Sequence, residues 1–329
     1  MSEASTSSAT GASDPERPAS DPELVEGSPT PTPRRRLRLV GIGCGDPDQL
    51  TLEAVRALQD ASFALVTVKR EHDPLADVRR AIIERHAPGL RVVEVVDPER
   101  DRSASATATI AGYENVVDDW HEARAEAWEQ ALLGTPGGGA GPWAAGGAGG
   151  GAGPWAADGA GGGAGPWAAD GAGGGAGPWA ADEHSDGALL VWGDPAFYDS
   201  TIRVVERVVA RGAIDLEWDV LPGISALQLL AARHRVVLHE VGQPVLVTTA
   251  RRLREAVDAG ADNLVVMLGA GLDLTGLEDW TIWWGANLGA RSEALVHGRV
   301  ADALPVIETA RAEAKATAGW VMDVYLLRR

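Results

Sequence analysis

Three short strand-like runs in this chain, Leu37–Val40, Ala188–Trp192 and Trp218–Leu221, each lead straight into a glycine-bearing turn. The turns read Gly41-Ile42-Gly43-Cys44-Gly45-Asp46, Gly193-Asp194-Pro195-Ala196-Phe197-Tyr198 and Pro222-Gly223-Ile224-Ser225-Ala226. Runs this short, bounded by Gly and Pro, have the length of strands rather than helices. Glycine beyond a strand lets the backbone approach a neighbour closely. In sheets whose strands alternate with helices, the ligand crevice lies outside the strands' carboxyl ends. A chain with three such turns is therefore expected to fold as an α/β protein whose binding site is assembled from strand ends far apart in sequence.

The segments between the turns keep the alternation. Strands are expected at Leu37–Gly41, Phe63–Val68, Arg91–Val95, Ala188–Trp192 and a run ending near Leu221. Helices are expected at Thr51–Ala61, with Thr51 as N-cap and Glu53 in the first turn, and at Leu75–Arg85, Ile110–Leu133 and Thr201–Ala210. This βαβ order implies a mainly parallel sheet covered on both faces. The second half reads as helix Ser225–Ala232, strand Val245–Thr248, helix Leu253–Ala259 and strand Asn263–Leu268. Strands Thr281–Trp284 and Val321–Leu327 follow, separated by a helix at Leu304–Ala316. Two α/β domains are expected, over 34–220 and 221–329, meeting near Leu221–Pro222.

Two segments stand outside this pattern. Residues 1–33 are rich in Ser, Thr, Pro and Glu and nearly devoid of large apolar side chains, so they are expected to be a disordered tail. The basic cluster Arg34-Arg35-Arg36 reads as a solvated strand flank. Between about 137 and 186 a Gly/Ala-rich unit recurs, with Trp143, Trp155, Trp167 and Trp179 twelve residues apart. Each unit carries one Trp and nothing branched to build a layer, which favours a disordered, tolerated insertion over a solenoid.

Charge and cysteine usage narrow the class. A net charge of −18 disfavours a general nucleic-acid binder, which needs clustered positive charge. The single cysteine, Cys44, precludes an intramolecular disulfide and suits a reducing compartment. No apolar run is long enough to span a bilayer, and the start lacks the basic-then-apolar order of a signal peptide. A cytoplasmic protein without membrane partners is expected.

The turns also carry chemistry. Gly41-x-Gly43 invites a dinucleotide reading, but Asp46 stands where a third glycine belongs, and Lys69 follows the second strand where a ribose-binding acid is expected. A carboxylate there repels a pyrophosphate and tolerates a sulfonium. Asp46 and Asp48 have the chemistry to cap the next helix. Gly193-Asp194-Pro195 is a turn whose glycine admits close approach, whose aspartate offers a carboxylate and whose proline fixes the backbone. The seven histidines show no metal-ligand spacing, so no metal is expected; His234 and His239 read as a surface loop. Cys44 has no histidine nearby in sequence to activate it.

Together, in this order, the three turns resemble the motifs of the tetrapyrrole methylase family, enzymes that use S-adenosylmethionine to methylate corrin precursors. The resemblance covers roughly Leu37 to the C-terminus apart from the repeat. It implies a bilobal α/β fold and a cofactor site formed by Gly43, Gly45, Trp192, Gly193, Asp194, Phe197, Ser225, Ala226, Leu268, Gly285 and Ala286. Asp46, Asp194 and Tyr198 are the implied catalytic candidates. Ala250–Leu253, Trp283–Ala286 and Gly319–Leu327 are similar to the member that methylates precorrin-5 at C-1 and releases its acetyl group as acetate. Arg251, Arg252 and Lys69-Arg70 would then meet the substrate's carboxylates, and a homodimer is an expectation from the family. The alternatives are a family member acting at another ring carbon, a nicotinamide-dependent oxidoreductase, and a non-catalytic interaction protein built on the Trp repeat.

Overall fold

Residues 34–69, 73–101, 110–134, 186–269 and 271–329 are described by the computed structural model. The expected tail and most of the expected insertion lie outside them. Two five-stranded sheets, both within one compact unit of the chain, organise the rest. No helix among the described residues is long and apolar enough to cross a membrane.

The first sheet is built from β1 (Arg34–Gly41), β2 (Phe63–Val68), β3 (Arg91–Val96), β4 (Asp186–Val191) and β5 (Asp215–Leu221). Its order is β3-β2-β4-β1-β5, parallel throughout. Helices α1 (Leu52–Asp60) and α2 (Pro74–His86) follow β1 and β2 and pack on one face through Ala54, Leu58, Val78 and Ile82. The other face is covered by α3 (Ile110–Gly134) and α4 (Thr201–Arg211), through Trp128, Leu132, Val204 and Val208. Steps toward β3 place their helix on one face and steps toward β5 on the other, as a single crossover hand requires. The chain thus leaves the neighbouring ends of β1 and β4 toward opposite faces, which opens a crevice there. Thr51 caps α1 as expected, its hydroxyl accepting from the Ala54 N–H at 3.0 Å.

The basic cluster is a solvated flank only at its start, Arg34, and becomes buried by Arg36. Arg34, Arg35 and Arg36 lie within β1, and Arg36 is buried between Asp219 (3.1 Å) and Asp186 (3.7 Å). Its neighbours β4 and β5 bring those two carboxylates up beside it, so the buried guanidinium is paired with two partly exposed carboxylates.

The second sheet is mixed where the first is parallel. It comprises β6 (Leu246–Thr249), β7 (Asn263–Met267), β8 (Thr281–Ala286), β9 (Ala294–Arg299) and β10 (Asp323–Arg328), in the order β6-β7-β10-β8-β9. Only β6 and β7 pair parallel; the other three pairings are antiparallel. No helix separates β8 from β9, so a short loop joins them as an antiparallel pair. The last strand, β10, then inserts between β7 and β8. Helix α5 (Ala226–His234) covers one face through Leu227, Leu229 and Leu230. On the other face lie α6 (Leu253–Asp258) and α7 (Val300–Ala318), through Leu253, Val300 and Ile307.

Candidate functional site

The three glycine turns converge on one seam. A Cβ on Gly223 would lie 2.3 Å from the Gly193 carbonyl oxygen and 2.7 Å from the Gly41 carbonyl carbon, closer than side chains are found. Gly43 and Gly193 exchange backbone hydrogen bonds of 3.2 and 2.7 Å. Asp194 ties the seam: one carboxylate oxygen accepts from Ala196 N–H at 2.8 Å and the other from Gly223 N–H at 2.9 Å. The first-order role of these glycines is therefore to let three backbones touch. Gly193 itself, at φ +68 with nothing within 4 Å of an added Cβ, faces open space.

That open space is a cavity of about 310 Å3. Its wall includes Trp192, Gly193, Asp194, Phe197, Tyr198, Ser225, Ala226, Leu268, Asn287 and Trp320. Its size falls at the lower end of small-ligand sites, roughly 300–1,000 Å3, and most of its wall is apolar or aromatic, as such sites usually are. Among the described residues, four non-glycine residues have positive φ, and three of them, Tyr198, Leu268 and Asn287, lie on this wall. Such backbone strain gathers where a site must hold an unusual shape. Leu268, at φ +55, is 64% exposed, so its side chain is part of the cavity wall and not of the core.

Several expected site residues stand behind the wall instead of on it. Gly43 and Gly45 shape the β1 turn, and a Cβ on Gly45 would strike the Trp192 ring at 2.7 Å. Gly285 leaves room for Leu288, and Ala286 is fully buried in β8. Ser225 does line the wall, but its side chain is engaged as the N-cap of α5, exchanging hydrogen bonds with Gln228 in a capping box. Asp46 lines neither the apolar cavity nor the larger one beyond it. Its carboxylate accepts from Asp48 N–H at 2.9 Å and it borders a separate surface hollow with Arg85 and Glu293. Asp46 thus caps the 3-10 turn Pro47–Gln49.

Beyond Phe197 and Tyr198 the apolar cavity adjoins a trough of about 880 Å3. Six cations line it: Lys69, Arg79, Arg100, Arg124, Arg203 and Arg251, against Asp73, Asp97 and Asp199. This is a local excess of positive charge in an acidic chain. Arg124 forms a buried ion pair with Asp97 at 2.7 Å and stacks on Trp120 and Trp128. Burial pulls the Arg79 guanidinium below its ordinary value, with Asp73 and Asp199 opposing the shift. Lys69 and Arg203 have no side-chain ion pair among the described residues. Arg252 points elsewhere, into a pair with Glu255, and Arg70 lies outside the described residues. His121, 3% exposed on the trough wall, is held below its ordinary pKa by burial first and then by Arg207 and Arg124. Phe197, Tyr198, Asp199, Leu268 and Met322 line both cavities. Of its six cations only Lys69 and Arg251 were expected from sequence, because the six come from six separate elements and loops.

Cys44 is 3% exposed in the contact between the β1 turn and α5, and its thiol is pushed up to about 12 by burial, with Glu293 adding to the effect. A thiol so placed is no nucleophile. His234 is half-buried on α5, its ring nitrogen 3.0 Å from the Trp284 carbonyl and its ring 6.0 Å from His297, so it is not part of a surface loop.

Comparison with known proteins gives this architecture its class. The family model for tetrapyrrole (corrin/porphyrin) methylases matches residues 36–137 and 179–304, breaking off across the repeat, and the chain belongs to that family. Within it, a precorrin-6A synthase [deacetylating] from a Sinorhizobium species is 37% identical over 87% of this chain and 92% of its own length. A cobalamin synthesis related protein (CobF) from Corynebacterium diphtheriae shares the fold with a TM-score of 0.65 at 26% identity, covering 90% of this chain and 98% of that one. The nicotinamide-dependent alternative finds no support in these relationships.

Proposed function

We propose that this chain is an S-adenosylmethionine-dependent methyltransferase of cobalamin biosynthesis that converts precorrin-5 to precorrin-6A, methylating C-1 and releasing acetate. The observation that carries this reading is the pairing of a compact apolar cavity with a cationic trough across one shared wall. An adenosine and a thioether chain suit the first, with Trp192, Gly193, Ala226, Leu268 and Asn287 as contacts. A polycarboxylate macrocycle suits the second, because Arg and Lys hold carboxylates by charge-assisted hydrogen bonds. The relative named for that reaction supports the step.

S-adenosylmethionine brings an already activated methyl group, so the protein's task is orientation in a dry site, where effective molarity replaces chemical catalysis. Phe197, Leu268 and Met322 would exclude water from the point where the two occupants meet. Asp194, with both oxygens held by backbone N–H groups, acts by keeping the seam closed. Tyr198 donates to the Val247 carbonyl at 3.2 Å and so braces the wall against β6.

Anaerobic incubation with precorrin-5 and methyl-labelled S-adenosylmethionine tests the proposal, with acetate assayed alongside. Equal label and acetate are expected; label without acetate would move the reaction to another ring carbon. Lys69→Ala and Arg203→Ala should each raise KM for the tetrapyrrole by roughly tenfold, consistent with a charge-assisted bond of about 1.5 kcal/mol, while leaving S-adenosylhomocysteine affinity unchanged.

A further inference from the structure

Carboxylates on the walls of the two cavities are nearly all committed. Asp73 caps α2 through one oxygen and accepts from Lys69 N–H through the other. Asp97 is locked to Arg124, and Asp194 to the seam. Asp323, 3% exposed as a side chain, accepts from Arg311 at 2.8 Å. The exception is Asp199, which is also the one carboxylate lining both cavities. Its Oδ1 accepts from Thr201 N–H at 2.6 Å at the start of α4, and its Oδ2 has no partner among the described residues. The preceding residue is strained, Tyr198 at φ +52, and is pinned to Val247, so Asp199 is presented at a fixed place on the shared wall.

Resting on the deacetylating reading above, we propose that Asp199 is the catalytic base that activates water for removal of the acetyl group. Oδ2 takes a proton from water as the water oxygen adds to the acetyl carbonyl. Collapse of the tetrahedral adduct breaks the bond between C-1 and the acyl carbon, leaving the electron pair on the macrocycle at C-1 and releasing acetic acid. That electron pair takes the methyl group from the sulfonium, and S-adenosylhomocysteine is left. One water is consumed, one acetate forms, and two protons reach solvent, one through Asp199 and one from acetic acid. A base at the wall common to both cavities serves this sequence, because the carbon that loses the acetyl group must next face the methyl donor.

Asp199→Asn tests the assignment cleanly, since the amide oxygen can still accept from Thr201 N–H and keep the start of α4. Single-turnover reactions with precorrin-5 and methyl-labelled S-adenosylmethionine are followed for label and acetate, with S-adenosylhomocysteine binding measured by calorimetry. Wild type should yield label and acetate together. The variant should lose at least about 100-fold in both rates, the usual scale of general base catalysis, with binding within threefold. A smaller loss of acetate release overturns the assignment while leaving the function intact. Loss of cofactor binding in the variant also overturns it, by making Asp199 a cofactor contact. If wild type transfers label without acetate, the deacetylating reading itself fails, whatever residue 199 does.

Discussion

Replacing Gly223 by alanine tests the seam directly. The residue is outside the left-handed region, so alanine carries no conformational penalty there, and the entire cost is steric. Its Cβ would sit 2.3 Å from the Gly193 carbonyl oxygen and 2.7 and 2.9 Å from the Gly41 carbonyl carbon and Cα. Overpacking costs ~1–3 kcal/mol where side chains can yield. Here all three neighbours are backbone, so the upper end applies. Pushing the turn away also stretches the 2.9 Å bond from Gly223 N–H to the Asp194 carboxylate, worth about 1.5–3 kcal/mol as a charged hydrogen bond. Together these give roughly 4–6 kcal/mol. At about 2–4 °C per kcal/mol, Tm should fall on the order of 10–20 °C. Gly212→Ala is the control: φ is +72 but nothing lies within 4 Å of the added carbon, so only the left-handed penalty of about 1–2 kcal/mol remains. Thermal unfolding followed by circular dichroism, with calorimetric titration of S-adenosylhomocysteine, reads both effects. A Gly223→Ala protein that melts no lower than the Gly212→Ala control and binds the ligand as wild type does would refute the close contact of the three turns.

Further outcomes follow from single groups. The Cys44 thiol, raised from 9.0 to about 12 by burial, contributes stability that is fully present below about pH 9 and lost as pH rises toward 12; urea titrations across that range should show a slope that Cys44→Ala reduces, the buried Tyr325 hydroxyl supplying a remainder above pH 10. The Tyr325 hydroxyl is buried with no hydrogen-bond partner among the described residues, so Tyr325→Phe should leave stability unchanged or raise it by up to about 2 kcal/mol, and a loss above 1 kcal/mol would reveal a hidden partner. Deleting residues 137–181, which the family match largely passes over, should leave methyl transfer within about twofold of wild type in the labelled assay, whereas a scaffold built on the Trp repeat would lose its binding.

Local signals carried most of the fold. Phe63–Val68 was delimited to the residue by its apolar run, and Thr51 by its capping chemistry. The second sheet failed at β9, Ala294–Arg299, whose residues are half-exposed and include His297, Gly298 and Arg299, so no apolar run marks it. Helix α7 begins at Val300, four residues before its expected start, and carries Pro305 inside it. The antiparallel pairing is not legible for a related reason: β10 enters the middle of its sheet from far along the chain, a long-range choice that periodicity does not encode. At the site, sequence reveals which carboxylates exist but not which are already engaged. Asp46 and Asp194 stand in recognisable turns, yet both accept from backbone N–H groups. Asp199 carries no motif of its own and is distinguished only by the oxygen left over after Thr201 is satisfied.

The cationic trough sits in a chain of net charge −18, and this sets two fields against each other along the path of a polyanion. Beyond a Debye length, about 10 Å at 0.1 M salt, the molecule as a whole repels such a substrate; inside it, the trough attracts. Encounter then has a rise before its well. Moderate salt lowers the rise and shallows the well, so association should quicken while residence shortens. That is opposite to ordinary electrostatic steering, in which salt slows arrival. Such a site takes up its substrate reluctantly from dilute solution and releases it slowly at low ionic strength, which makes ionic strength a control on throughput separate from the chemistry.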